Sequence, residues 1–167
     1  MAALLMEKGA RLLSDDVAVI DIHADGCPVL LPTFPRQKLW RDTLDALGLA
    51  PGRYLRRTVD MEKFDSPVLG PFDGTPVRVD RICQLLPRGR LDAVRLVPVD
   101  GLRAVRMLYE NVYRRTAGGL LGLSDRIFQD CVALAIASPP EALSVPDGIG
   151  KLARTGAQLD RMLMVPR

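Results

Sequence analysis

The chain has 167 residues, 48% of them hydrophobic and 26% charged, the size and balance of one domain able to bury a core. Whole-chain disorder is excluded by only fourteen glycines and thirteen prolines, and a membrane helix by uncharged stretches no longer than ten residues, as at Cys131 to Pro140, against the roughly 18 a span needs. The net charge of +3 comes from basic residues scattered along the chain, away from its few aromatics, and gives no support to a nucleic-acid partner.

Ala2, Leu4, Leu5 and Met6, then Glu7, Lys8 and Gly9, read as a short helix ended by a glycine and begun without a capping side chain. The same residues lack the basic leader and cleavage site of a secretory signal, as expected of a chain kept in the cytoplasm. Leu12-Leu13, the acidic pair Asp15-Asp16 and the run Val17 to Ile22 predict strand, turn, strand. Ala24-Asp25-Gly26 predicts a turn and Val29 to Leu31 a third strand. A helix is expected over Leu39 to Leu47, with Leu39, Trp40, Leu44 and Leu47 on one face, stopped by Gly48 and Pro51.

Residues 51 to 76, rich in proline and glycine and carrying Arg53, Arg56 and Arg57, read as a long loop with a functional or mobile role. Val77 to Leu86 and Ala93 to Val97 are expected to form strands joined at Pro87-Arg88-Gly89-Arg90. Helices follow. Leu102, Val105, Leu108 and Val112 have helical spacing; a second helix capped by Ser124 turns Ile127, Cys131, Leu134 and Ala135 inward up to Ser138-Pro139-Pro140. A third, capped by Asp147, turns Ile149, Leu152, Leu159 and Leu163 inward. No repeat or domain boundary is evident, so residues 1–167 read as a single α/β domain, a mixed sheet from the first hundred residues with the C-terminal helices packed against it.

Most chemistry-bearing residue types have structural explanations. Cys27, Cys83 and Cys131 lie too far apart for a C-x-x-C spacing and read as buried thiols. His23, the single histidine, has no second ligand at metal spacing and reads as a turn residue. Gly118, Gly119 and Gly122 read as a loop between helices, since no strand leads into them. Arg103, Arg106, Arg114 and Arg115 suit helix faces and a helix end.

Asp15 and Asp16 stand out. Two carboxylates at the end of an apolar strand can divide labour, one holding Mg²⁺ against nucleotide phosphates and the other accepting a proton from an attacking hydroxyl; a solvated turn is the plain alternative. The runs Arg11-Leu12-Leu13-Ser14-Asp15-Asp16-Val17-Ala18-Val19-Ile20, Leu31-Pro32-Thr33-Phe34-Pro35-Arg36-Gln37-Lys38-Leu39-Trp40, Glu62-Lys63 and Arg81-Ile82-Cys83-Gln84-Leu85 together resemble the carboxyl-terminal part of HPr serine kinase-like proteins. The resemblance covers most of residues 1 to 115.

It implies the phosphoenolpyruvate-carboxykinase-type nucleotide fold and ATP-dependent, Mg²⁺-assisted phosphorylation of a Ser hydroxyl on a protein or peptide. By the same resemblance Asp15 is the metal ligand and Asp16 the general base, with the two roles exchangeable. Arg36, Lys38 and Lys63 become candidates to neutralise phosphate charge, against the plain reading of solvated surface cations. Relatives of this kind often form homo-oligomers, and neither a nucleic acid nor a membrane is implied as partner.

Two departures shape the expectation. The family's Glu-x-Arg-Gly-type signature is replaced by Pro-Arg-x-Lys-Leu-Trp, which points away from HPr and toward the divergent branch that includes kinases of ribosomal peptide pathways. No G-x-x-x-x-G-K-[ST] phosphate-binding loop occurs, so the chain is expected to be a kinase domain lacking its N-terminal strand and loop, inactive by itself. A non-catalytic peptide-binding or regulatory module and an unrelated small hydrolase using the Asp pair are the competing readings.

Overall fold

Three small sheets organise the chain. The computed structural model describes residues 1–34, 36–59, 61–67, 73–87 and 91–163. Pro35, the predicted Arg88-Gly89-Arg90 turn and the side chain of Ile149 lie outside that description. The architecture is mixed α/β, with two antiparallel sheets, one mixed sheet and helices toward the C-terminus.

Helix α1 (Ala2–Met6) begins at Met1 without a side-chain cap, and Gly9 takes φ +95° just beyond it. Strands β1 (Val19–Ile22) and β2 (Pro28–Leu31) form the expected hairpin through His23 to Cys27. The short β6 (Val77–Arg78) pairs with β2 on its other side.

The second sheet corrects two expectations. Leu39 and Trp40 belong to strand β3 (Arg36–Trp40), and the helix α2 (Arg41–Ala46) starts only after them. The predicted loop contains strands β4 (Tyr54–Arg57) and β5 (Glu62–Pro67), in the spatial order β3-β5-β4. Its proline and glycine content masked a short alternation, in which Phe64 and Ser66 are buried between the more open Lys63 and Asp65. Leu44 of α2 is fully buried.

The third sheet explains why the expected hairpin of residues 77 to 97 does not form. Strands β7 (Cys83–Leu85) and β8 (Arg95–Pro98) are separated by β9 (Glu141–Ser144), parallel to β7 and antiparallel to β8. Strand β9, unforeseen from sequence, arrives after three helices: α3 (Gly101–Glu110), α4 (Arg115–Leu120) and α5 (Ser124–Ala137). Leu143 of β9 and Val145 just beyond it join Val94 and Leu159 in the main apolar cluster, with Met1, Leu5, Cys83, Leu96, Met162 and Leu163 packed around them. Leu159 comes from α6 (Leu152–Leu163), which follows a 3-10 turn at Ile149–Lys151. The single mixed sheet expected from the first hundred residues is therefore three sheets, one of which takes its central strand from residues 141–144.

Polar ties fix this C-terminal layer. The Arg81 guanidinium donates to the Met162 carbonyl and pairs with the buried Glu141 at 3.2 Å, so a β9 residue and the end of α6 share one side chain. Gln158 accepts the Val94 N–H at 3.1 Å. The helix predictions largely hold, with three corrections. Ser124 is the first helical residue of α5, and its side chain makes no capping bond. Gly118 and Gly119 lie within α4 rather than in a loop. Leu102 is 84% exposed, the inward face of α3 being Ala104 and Met107. No helix among the described residues is long and apolar enough to cross a membrane.

Candidate active site

Register sorts the side chains of the second sheet into two faces. Trp40 stands opposite Lys63 and Lys63 opposite Arg56, while Lys38 stands opposite Asp65. Because alternate residues of a strand point to opposite faces, Arg36, Lys38, Trp40, Arg56, Lys63 and Asp65 share one face. Gln37, Phe64 and Ser66, buried, belong to the other.

The acidic pair meets the cationic face at its β3 edge. Lys38 sends two donors to it: the backbone N–H to Asp15 Oδ2 at 3.0 Å and the Nζ ammonium to Asp16 Oδ2 at 2.6 Å. Strand β3 is an edge strand paired only with β5, so its outward N–H needs an acceptor, and Asp15 supplies one. The pair does not end a strand, as the sequence suggested. The Leu13 carbonyl accepts the Thr33 N–H at 3.0 Å, but the ladder stops there, because Val17 N–H turns back to the Asp15 carbonyl at 2.7 Å. Ser14 Oγ holds this bend, donating to the Val17 carbonyl and bonding the Thr33 hydroxyl, each at 2.6 Å. Asp16 takes φ +62°, a left-handed conformation that its short polar side chain tolerates better than most.

Electrostatics follow from this contact. The hydrogen bond from Lys38 holds the Asp16 carboxyl below the ordinary carboxylate range, with the charges of Lys38 and Lys63 adding to it. The same bond holds the Lys38 ammonium above its ordinary value. Asp16 is thus ionised, yet unable to accept a proton readily while Lys38 stays on it. Each carboxylate uses only Oδ2 in these bonds, which leaves Oδ1 of both without a hydrogen bond from a described residue.

Four of the five site residues expected from sequence therefore gather together: Asp15, Asp16 and Lys38 in direct contact, Lys63 near enough to act on Asp16 through its charge. Arg36 turns elsewhere, pairing with Asp65 at 3.5 Å and lying 5.6 Å from the Phe34 ring centroid. Three participants were missed. Trp40 carries the Lys63 ammonium 5.3 Å and the Arg56 guanidinium 5.5 Å from its ring centroid, and Asp65 sits between Arg36 and Arg53, the latter at 3.9 Å. For Asp65 the signal is the period-two alternation of residues 62–67; Trp40 and Arg56 are placed only by pairing with that strand.

His23 is a turn residue, as expected: its N–H donates to the Cys27 carbonyl at 3.1 Å and its carbonyl accepts from Gly26. All three cysteines are free, Cys131 buried and the other two half-buried. No group of three or more His, Cys, Asp or Glu converges as a metal cage among the described residues. Two carboxylates with open oxygens nevertheless fit Mg²⁺, which takes one or two carboxylates and keeps water and phosphate for the rest.

No family model, curated protein or solved structure matches this chain. The functional reading consequently rests on the site itself. Its arrangement offers two carboxylates with free oxygens, an ammonium that can move from carboxylate to anion, and a cationic sheet face beside them.

Proposed function

We propose that the chain carries the carboxylate and cation half of an ATP-dependent serine kinase site of the HPr serine kinase-like type, with the nucleotide fold that type implies. The observation that carries the reading is the convergence of Asp15, Asp16 and Lys38 at the edge of a cationic sheet face. In this reading Asp15 holds Mg²⁺, whose bound charge would offset that of the phosphates. Asp16 accepts the proton of a Ser hydroxyl on a protein or peptide substrate, and Lys38 and Lys63 neutralise charge on the transferring group. Arg36 joins them only by leaving Asp65.

The Asp16–Lys38 bond gives the sequence of events. An arriving phosphate competes for the Lys38 ammonium, and Asp16, released from its strongest partner, regains proton affinity. Base strength would then rise only when nucleotide is present. The sequence contains no G-x-x-x-x-G-K-[ST] loop, so turnover by these residues alone is expected to be negligible, since loss of even one stabilising donor costs roughly 10²–10³-fold.

Calorimetry tests the reading. Mg²⁺-dependent ATP binding should be weak but measurable, abolished by EDTA and lost in Asp15→Asn. Binding that is indifferent to that substitution, or absent altogether, overturns it. A second reading, a peptide-binding module without catalysis, is favoured by one observation: both carboxylates are already engaged by Lys38. It predicts peptide binding with no nucleotide binding. Self-association is also proposed, supported by the exposed Leu102, Leu120 and Ile136 on the helices and Leu121 just after α4. A monomeric mass in sedimentation equilibrium at high protein concentration would refute it.

A further inference from the structure

The row Trp40, Lys63, Arg56 crosses all three strands of the second sheet and has no evident role in holding it together. Like charges placed directly opposite on neighbouring strands destabilise a sheet, yet Lys63 and Arg56 are such a pair. Neither makes an ion pair with a described carboxylate. They are held instead against the Trp40 ring, an arrangement that keeps two cations side by side and available.

The next row adds two more cations. Arg36 and Arg53, 46% and 73% exposed, lie 3.5 and 3.9 Å from one oxygen of Asp65, whose other oxygen is closed off from the surface. The face therefore presents more exposed cations than carboxylates.

We infer that this face docks an extended acidic peptide, whose carboxylates meet Arg56, Lys63 and Arg53. The inference rests on the kinase reading for its consequence, because it makes the Ser substrate one with acidic residues beside the acceptor. A peptide fits better than a nucleic acid. The Trp40 ring is already covered by two cations rather than open for base stacking, and Asp16 and Asp65 interrupt the positive track that a phosphodiester backbone follows.

Trp40 is the single tryptophan, so its fluorescence reports occupancy of this face directly. The full chain would be titrated with a synthetic peptide of one Ser flanked by glutamates, its glutamine counterpart, inorganic pyrophosphate and a uridine oligonucleotide. The glutamate peptide should give a saturable, salt-sensitive change. Affinity should fall by about 3-fold in Arg56→Gln or Lys63→Gln and about 10-fold in the double variant, as a few partly exposed charges allow. Circular dichroism would confirm folding, and the charge-conserving Arg56→Lys with Lys63→Arg should retain binding. Equal binding of the glutamine peptide, tighter binding of pyrophosphate or the oligonucleotide, or no fluorescence change at millimolar peptide each overturns the inference.

The two readings fail separately. Asp15→Asn should leave peptide docking intact while losing nucleotide binding. Nucleotide binding without peptide docking sinks this inference alone, and peptide docking without nucleotide binding sinks the kinase reading alone.

Discussion

The two sheets built from β3-β5-β4 and β7-β9-β8 have the same number of strands and opposite purposes. In the second, Leu143, Val145 and Val94 meet Leu159 in a dry cluster, and the principal charged side chains there, Arg81 and Glu141, answer each other. In the first, one face is buried by Phe64, Gln37 and Ser66, and the other gathers Lys38, Lys63 and Arg56 with fewer carboxylates than cations. A sheet that merely needed to be stable would not place Arg56 opposite Lys63. The contrast separates residues that hold the chain from residues available to a ligand.

The largest expected effect comes from the dry sheet. Leu159→Ala removes a fully buried side chain and should cost about 3 kcal/mol, a fall in Tm of about 10 °C. Arg81→Met should follow at about 2 kcal/mol, because it strips the cation from a carboxylate with only 8% of its side chain exposed. Denaturant unfolding of both variants, beside Arg56→Gln, would test the contrast. Arg56→Gln should leave stability almost unchanged, and a comparable loss there would mean that the cationic face is structural after all.

A smaller effect is expected at the bend of the Asp pair. Asp16 sits at φ +62°, so Asp16→Ala should be about 1 kcal/mol less stable than Asp16→Gly, which has no Cβ to strain. Equal stability of the two would show that the left-handed bend is not kept in solution. It also makes Asn, which tolerates this region, the right substitution for functional tests at Asp16.

The difference between the two sheets also explains what could be read in advance. Helix α5 is legible because Ile127, Cys131, Leu134 and Ala135 keep helical spacing within a helix of fourteen residues, long enough for periodicity to dominate. Strand β9 has four residues and owes its place to β7 and β8, some sixty and forty-five positions away; nothing local announces it. In the candidate site, Asp15 and Asp16 are legible by residue type, and Lys38 and Lys63 only through the resemblance. Trp40 was misplaced on a helix, because Leu39, Trp40, Leu44 and Leu47 also fit a helical face. Only pairing with Phe64 and Lys63 decides for a strand. Arg56 was noticed as part of a basic loop, but its position over Trp40 follows from a register that short alternations specify weakly.

The finest test of the site is its dependence on pH. Asp16 is lowered from the ordinary 3.8 chiefly by the hydrogen bond from Lys38, so the bond contributes above that value and is lost as pH falls through the lower, folded value. Lys38 is raised from 10.5 by the same bond, so its contribution is complete below 10.5 and is lost as pH rises through the higher, folded value. Between those limits the pair is indifferent to pH. Lys38→Met should therefore move the Asp16 titration, followed by carboxyl carbon NMR, upward toward 3.8. Lys63→Gln should move it in the same direction by less, since its charge is the lesser cause. An Asp16 titration unmoved by Lys38→Met would mean that the two side chains do not meet in solution, and the coupling of base strength to phosphate arrival would fall with it.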